Sequence, residues 1–355
     1  MRTLEELLRA LERDGIEHRL ITARSCWMIV APPLGARILG AGIGEENLLW
    51  TAPGFSTRGW SDGGNVGGAR TWIAPEGGPH GFFFSTDGER WDVPRELDPG
   101  DYRPAPAEEG WVSFRNVFTA RSADGVSYPV AITRSMCFEE LASAQAPGRT
   151  SAVQILFRHE IENTGSAPID RRLGLWCIVQ VPSEKTGTIL IPLRDGAPAD
   201  SVHPYFAELP TGVLRTSGRT VLLKALGGQK YKIGVSAPAA TGGIAFVRPS
   251  RTGKGWILVS LAFAVDRSGV YLDRPSHEPE AESSGGDAVQ AYNDPGEGEL
   301  AFSEIEAHAP AVRLGPGQRQ SFHIEMTIAA RPEHEIMEYI QRDVAPGVTP
   351  SDLSW

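Results

Sequence analysis

Two short segments bring reactive side chains together. In the run Gly67-Gly68-Ala69-Arg70-Thr71-Trp72-Ile73-Ala74-Pro75-Glu76-Gly77-Gly78, residues Arg70, Trp72 and Glu76 share one face of an extended chain, because strand side chains alternate with period two. A cation, a flat aromatic and a carboxylate on one face are the parts of a sugar site. The indole covers an apolar sugar face while arginine and glutamate hydrogen-bond hydroxyls. The same residues also fit a surface ion pair beside a core tryptophan, with the glycines serving turns. In Phe302 to Pro310, residues Glu304, Glu306 and His308 again fall on one face, with successive members roughly 6–7 Å apart. Two buried carboxylates at that spacing raise each other's pKa, one route to a general base working near neutrality, and an imidazole one step further could donate a proton. A solvated strand face has the same alternation.

The other polar residues are plainer. His159 lies on the apolar side of its strand and reads as a hydrogen-bonded core histidine. Tyr292-Asn293-Asp294-Pro295-Gly296 reads as a turn in which Asn or Asp bonds its own backbone, close enough in sequence to Glu306 to line a pocket. Lys230 and Lys232 alternate with Tyr231 and Ile233 and read as solvated strand lysines. The glycine-rich stretch from Gly59 to Gly68 leads into a strand and lacks the Lys-Ser/Thr ending of a phosphate loop. Cys26, Cys137 and Cys177 are scattered, without a disulfide framework or zinc spacing. No metal and no cofactor are expected.

The elements that must position these residues are strands. The 355-residue chain is 41% apolar and 22% charged, with 40 glycines and 27 prolines punctuating short apolar runs. That composition excludes a long helical bundle and favours an all-β protein. Leu4, Leu7, Leu8 and Leu11 predict an N-terminal helix within residues 1–15, and Pro332 opens a C-terminal helix over 332–343. Between them, Val153, Ile155, Phe157, His159 and Ile161 alternate with polar residues, Asn163-Thr164-Gly165 turns, and Ile169 to Val181 returns. A second such strand runs through Phe322, Ile324, Met326 and Ile328. The polar stretch Ser276 to Gly298 reads as a mobile loop. With no repeat and no linker, one β-domain over 1–355 is the economical expectation.

A net charge of −10 argues against a nucleic-acid partner. No window reaches 18 apolar residues, so no membrane helix is expected, and the charged N-terminus lacks the apolar centre of a signal peptide. The expectation is a cytoplasmic protein. The sequence does not read out an oligomeric state.

At the two reactive segments the chain resembles the galactose mutarotase-like (aldose 1-epimerase-like) superfamily, in particular a branch carrying a Gly-Gly-x-Arg-x-Trp-x-x-Pro-Glu-Gly-Gly run. Gly67 to Gly78 match that run. Lys232-Ile233-Gly234, Tyr292-Asn293-Asp294 and the Glu304/Glu306 pair extend the likeness, which covers about residues 5 to 330. The resemblance implies a β-supersandwich of antiparallel sheets and a small-molecule carbohydrate as ligand. It implies Glu306 as the base acting on the anomeric hydroxyl, tuned by Glu304, with Arg70 and Glu76 as hydroxyl clamps. The family's catalytic histidine falls at Trp176, which cannot protonate a ring oxygen, so the acid passes to His80 or His308. Trp72 or Trp176 would stack on the sugar, and Gln180, Asn293 and Asp294 would line the site. An epimerase-like enzyme is the leading expectation. A silent sugar-binding protein, or a lyase or hydrolase on the same fold, is the alternative.

Overall fold

The computed structural model describes residues 3–53, 65–85, 90–141, 152–206, 208–251, 253, 255–274 and 286–353. They form two antiparallel sheets, one of eleven strands and one of ten. The main path of the first sheet runs Arg19–Ala23, Cys26–Ala31, Arg37–Ile43, Ala69–Ala74, Ile169–Pro182, Phe302–His308, Asp287–Asn293, Tyr231–Ser236 and Val202–Pro204. The centre of the second consists of the long strands Ser127–Glu140, Ala152–Asn163 and Arg319–Arg331, followed by Trp256–Phe263 and Gly243–Pro249.

The alternation seen in the sequence does this work. Along Ala152–Asn163, residues Val153, Ile155, Phe157, His159 and Ile161 are buried and the residues between them are partly exposed. The strand ends where the Asn163 side-chain oxygen accepts the Gly165 N–H at 2.9 Å. His159 is buried as expected, yet neither ring nitrogen has a hydrogen-bond partner. Ile169–Pro182 is buried on both faces over most of its length, which is why Leu173 to Val181 reads as a continuous apolar run. One of its faces, with Ile305, Ala307, Val289, Ala291 and Ile233 from neighbouring strands, packs against Phe157, Val259, Ile324 and Met326 of the second sheet.

The termini cover the outer faces. Helix Leu4–Arg13 starts with a capping box, in which Thr3 accepts the Glu6 N–H and Glu6 accepts the Thr3 N–H. Its Leu7, Ala10 and Leu11 pack on Trp27, Ile29 and Leu39, the outer side of the first strands of the first sheet. Helix Glu333–Tyr339 runs on as a wider helical turn, Ile340–Val344, over the outer face of the second sheet. Both helices were expected, within a few residues of these bounds. The centre of the first sheet's outer face is left to polar side chains. Among the described residues no helix is long and apolar enough to cross a membrane. Of the stretch expected as a loop, 276–285 lies outside the described residues, but Asp287–Asn293 is a central strand, because Ala288, Val289 and Ala291 have core partners on both sides.

Ile305 is fully buried between the sheets, directly behind the polar face. Ile305→Ala should lower unfolding free energy by about 2–5 kcal/mol in a urea titration. A loss below about 1 kcal/mol would show that the two sheets are not closely packed at that point.

Candidate active site

Five neighbouring strands of the first sheet build the site by register. Trp176 lies opposite His308, Ile178 opposite Glu306 and Gln180 opposite Glu304. On the next strand Trp72 faces Trp176 and Arg70 faces Ile178. On the other side Gln290 lies opposite Glu306, Tyr292 opposite Glu304 and Lys232 opposite Tyr292. Directly paired residues share a face. All these side chains therefore project from the outer face, and the intervening residues form the inter-sheet core.

Glu306 is at the centre and has no solvent exposure. Its Oε2 accepts from Trp176 Nε1 at 2.8 Å and from Lys232 Nζ at 3.2 Å, whereas Oε1 has no hydrogen-bond partner. Lys232 Nζ also lies 3.8 Å from Glu76 and 4.8 Å from the centre of the Trp176 ring. Arg70 donates to Glu304 at 2.8 Å and lies over Trp72, and Gln180 donates to the same Glu304 oxygen at 2.8 Å. Trp72 is itself fixed by donation to Asp98, which takes both its oxygens to Arg37. His308 stacks on Trp176 at 5.3 Å, with Nδ1 3.6 Å from Asp273. Asp273 accepts the Glu76 N–H at 2.7 Å and so ties that loop to the site.

A second polar group adjoins the first. Asp287 accepts from Tyr205 and pairs with His203 at 3.0 Å, while Gln290 donates to the Tyr205 hydroxyl. Gly234 makes room for it, since a Cβ there would meet Asp287 Oδ2 at 1.9 Å. This explains the glycine two residues after Lys232.

Burial sets the charge states. Glu306 is pushed up to about 7, first by burial and then by Glu304 and Glu76, against the pull of Lys232. Asp273 is likewise raised to about 7 by burial and Glu76, with the Glu76 N–H and Lys232 opposing. Burial acts to discharge Lys232, but Glu306, Glu76, Asp273 and Glu304 outweigh it and hold the ammonium above its ordinary range. Burial, helped by Lys232, keeps His308 neutral. Eight buried polar atoms here have no partner: Arg70 Nε and Nη1, Gln180 Oε1, Asp273 Oδ2, Asp287 Oδ1, Gln290 Oε1, Glu306 Oε1 and His308 Nε2. Buried polar atoms are almost always bonded, so a concentration of orphans on one sheet face suits a ligand rich in hydroxyls. Among the described residues no group of three or more His, Cys, Asp and Glu side chains is arranged to hold a metal ion.

Residues 59–347 match the model of a family of unknown function, DUF6786. The chain belongs to the DUF6786 family. None of the curated protein sequences matches it significantly. Among solved structures it is similar to a candidate aldose 1-epimerase from Escherichia coli K12, with 13% identity, a TM-score of 0.53 and coverage of 89% of this chain and 100% of that one. A galactose mutarotase-like protein from Lactobacillus casei ATCC 334 has 10% identity, a TM-score of 0.51 and coverage of 88% and 100%. The Slr1438 protein from Synechocystis sp. PCC 6803 has 11% identity, a TM-score of 0.55 and coverage of 89% and 96%. At these identities the likeness shows the fold: this DUF6786 chain has the galactose mutarotase-like architecture of antiparallel sheets.

Of the residues singled out in the sequence, Arg70, Trp72, Glu76, Trp176, Gln180, Glu304, Glu306 and His308 come together. Glu304 to His308 is a buried face rather than a solvated one, because Arg70, Gln180, Trp176, Lys232 and Asp273 from neighbouring segments close around it. His80 goes elsewhere. Its loop is pinned to the turn at 122–126 by backbone bonds from Ala123 and Asp124, and its ring meets Asp124 and Arg171. Asn293 lies opposite Ser303, on the other face, and its amide fastens Ser183, Ser303 and the Gln229 carbonyl. Asp294 accepts from Tyr292 and the Gly296 N–H, the turn geometry expected of it. Lys232, read as solvated, is 6% exposed and ion-paired at the centre of the site. Asp273, Asp287, Tyr205 and Gln290 carried no local signal.

The raised Glu306 pKa fixes the sign of a pH effect in this DUF6786 protein. A carboxyl with a higher pKa folded than unfolded stabilises the fold fully below its ordinary pKa, and that contribution is lost as pH rises through about 7. The stability of wild type relative to Glu306→Gln should therefore fall between pH 5 and pH 8, measured by urea titration at each pH. An unchanged difference would mean that Glu306 ionises like an exposed carboxylate.

Proposed function

We propose that this protein binds a sugar on the outer face of its first sheet and catalyses proton transfer at the anomeric centre, as an aldose 1-epimerase-like isomerase. The single observation that carries the reading is Glu306: buried, held by Trp176 and Lys232 through one oxygen, unpartnered at the other, and near neutrality in pKa. Glu306 Oε1 takes the proton of the anomeric hydroxyl as the bond from the anomeric carbon to the ring oxygen breaks. Trp176 and Lys232 hold the carboxylate in place without occupying that oxygen. The ring oxygen receives its proton from His308 Nε2, and the protonated form of Asp273, whose pKa burial raises to about 7, passes a proton to Nδ1 as the pair closes from 3.6 Å. Rotation of the open-chain aldehyde and the reverse transfers give the other anomer, so protons balance. In this reading the histidine missing at position 176 is supplied from the adjacent strand, by the residue directly opposite it.

A second reading, a sugar-binding protein without catalysis, is favoured by one observation: Glu306 already has an ion-pair partner in Lys232. Saturation-transfer NMR on free aldoses separates the two. Catalysis predicts faster exchange between anomers for at least one aldose, and a loss of roughly 10²- to 10⁴-fold in Glu306→Gln. Sugar binding without exchange would establish the silent reading.

Arg70 serves either reading, since two of its nitrogens are buried and unpartnered. Lysine keeps the charge but loses the planar fork, so Arg70→Lys should weaken sugar binding by about 1.5–3 kcal/mol in calorimetric titration. Unchanged affinity would remove Arg70 from the site.

A further inference from the structure

Among the described residues only two aromatic side chains are substantially exposed, Trp91 at 48% and Phe206 at 45%. Isolated exposed apolar residues are ordinary. These two are not isolated from the site. Trp91 donates its indole N–H to Glu76 at 3.0 Å, the glutamate that also faces Lys232, and its ring lies 6.2 Å from Trp72 and 6.4 Å from Phe83. Phe206 follows Tyr205 in the chain and packs edge-on against Tyr292 at 6.4 Å, with Lys230 Nζ 4.5 Å from its ring centre. Tyr292 is the residue opposite Glu304 and Lys232. The two rings thus stand at opposite rims of the polar floor. The strands whose side chains these rings pack on, Ala69–Ala74 through Trp72 and Asp287–Asn293 through Tyr292, are three strand spacings apart in the sheet, roughly 14 Å at about 4.8 Å each. That exceeds one pyranose ring.

Each ring is rigid, keeps an apolar surface in water and is braced from behind, Trp91 by Phe83 and Glu76, Phe206 by Tyr292. Such a surface gains most by covering the flat apolar side of a sugar ring, at little cost in side-chain freedom. Resting on the reading of the polar floor as a sugar site, we propose that Trp91 and Phe206 are outer subsites and that the ligand is an oligosaccharide of two or more rings, with the reacting residue over Glu306.

The test titrates the whole protein calorimetrically with glucose and galactose, and with maltose, cellobiose and lactose. At least one disaccharide should bind about tenfold or more tightly than its monosaccharides. Trp91→Ala or Phe206→Ala should remove about tenfold of that affinity, equivalent to about 1.4 kcal/mol, while monosaccharide affinity stays within about twofold. Trp91→Phe keeps a ring but loses the bond to Glu76, and should retain most of the disaccharide affinity, which separates stacking from support of Glu76. Melting temperatures of all three variants should match the wild type. The subsites are refuted, with the proposed function left standing, if monosaccharides bind and disaccharides bind no better. They are refuted also if the alanine variants leave the disaccharide advantage intact. If no sugar of either length binds, the sugar-site reading and the subsites fall together.

Discussion

A carboxylate held out of water at the middle of a sheet governs the rest of this structure. Removing Glu306 and Lys232 from solvent costs several kcal/mol per ion, and their attraction offsets that only with good geometry and further hydrogen bonds. Lys232 supplies the charge at 3.2 Å and Trp176 a neutral donor at 2.8 Å, both to the same oxygen. The lysine in turn needs acceptors of its own, and the carboxyl groups of Glu76 and Asp273 act on it beside Glu306. Tying Asp273 to the Glu76 backbone then brings a loop nearly two hundred residues away in sequence onto the site. The same desolvation that makes the arrangement costly leaves Glu306 and Asp273 able to exchange protons near pH 7.

The surroundings are built to keep that arrangement rigid. Arg37 and Asp98, both buried, sit behind Trp72 and fix its plane, and Trp72 carries the Arg70 guanidinium on its face. Arg134 reaches the same region through the Gly35 and Ala69 carbonyls. Helix Leu4–Arg13 covers the apolar part of the outer face, so the polar part is set apart by packing as well as by charge.

What the sequence showed was what alternation controls. The strands through Val153 to Ile161 and Phe322 to Ile328, and the common face of Glu304, Glu306 and His308, follow from period two alone, and the fold class follows from them. Alternation also singled out Arg70, and the family resemblance added only the expected roles of Arg70 and Glu306. Whether a polar strand face meets water or its own sheet neighbours depends on chain segments far away, which is why Lys232 read as solvated although Glu306, 74 residues on, buries it. His80 failed for the related reason that closeness in sequence to Glu76 does not survive the turn at Pro79. Asp273 and Asp287 enter through long-range closure, and only Gly234, cleared of a Cβ for Asp287, left a trace of it in the sequence.

A crystal structure of the protein grown with a reducing sugar tests the role of Glu306 most directly. The anomeric oxygen should lie within hydrogen-bond distance of Glu306 Oε1, with Trp176 and Lys232 still on Oε2 and Arg70 bonded to a ring hydroxyl. A sugar bound away from this face, or Glu306 Oε1 turned to a protein partner while the sugar is present, would contradict that role.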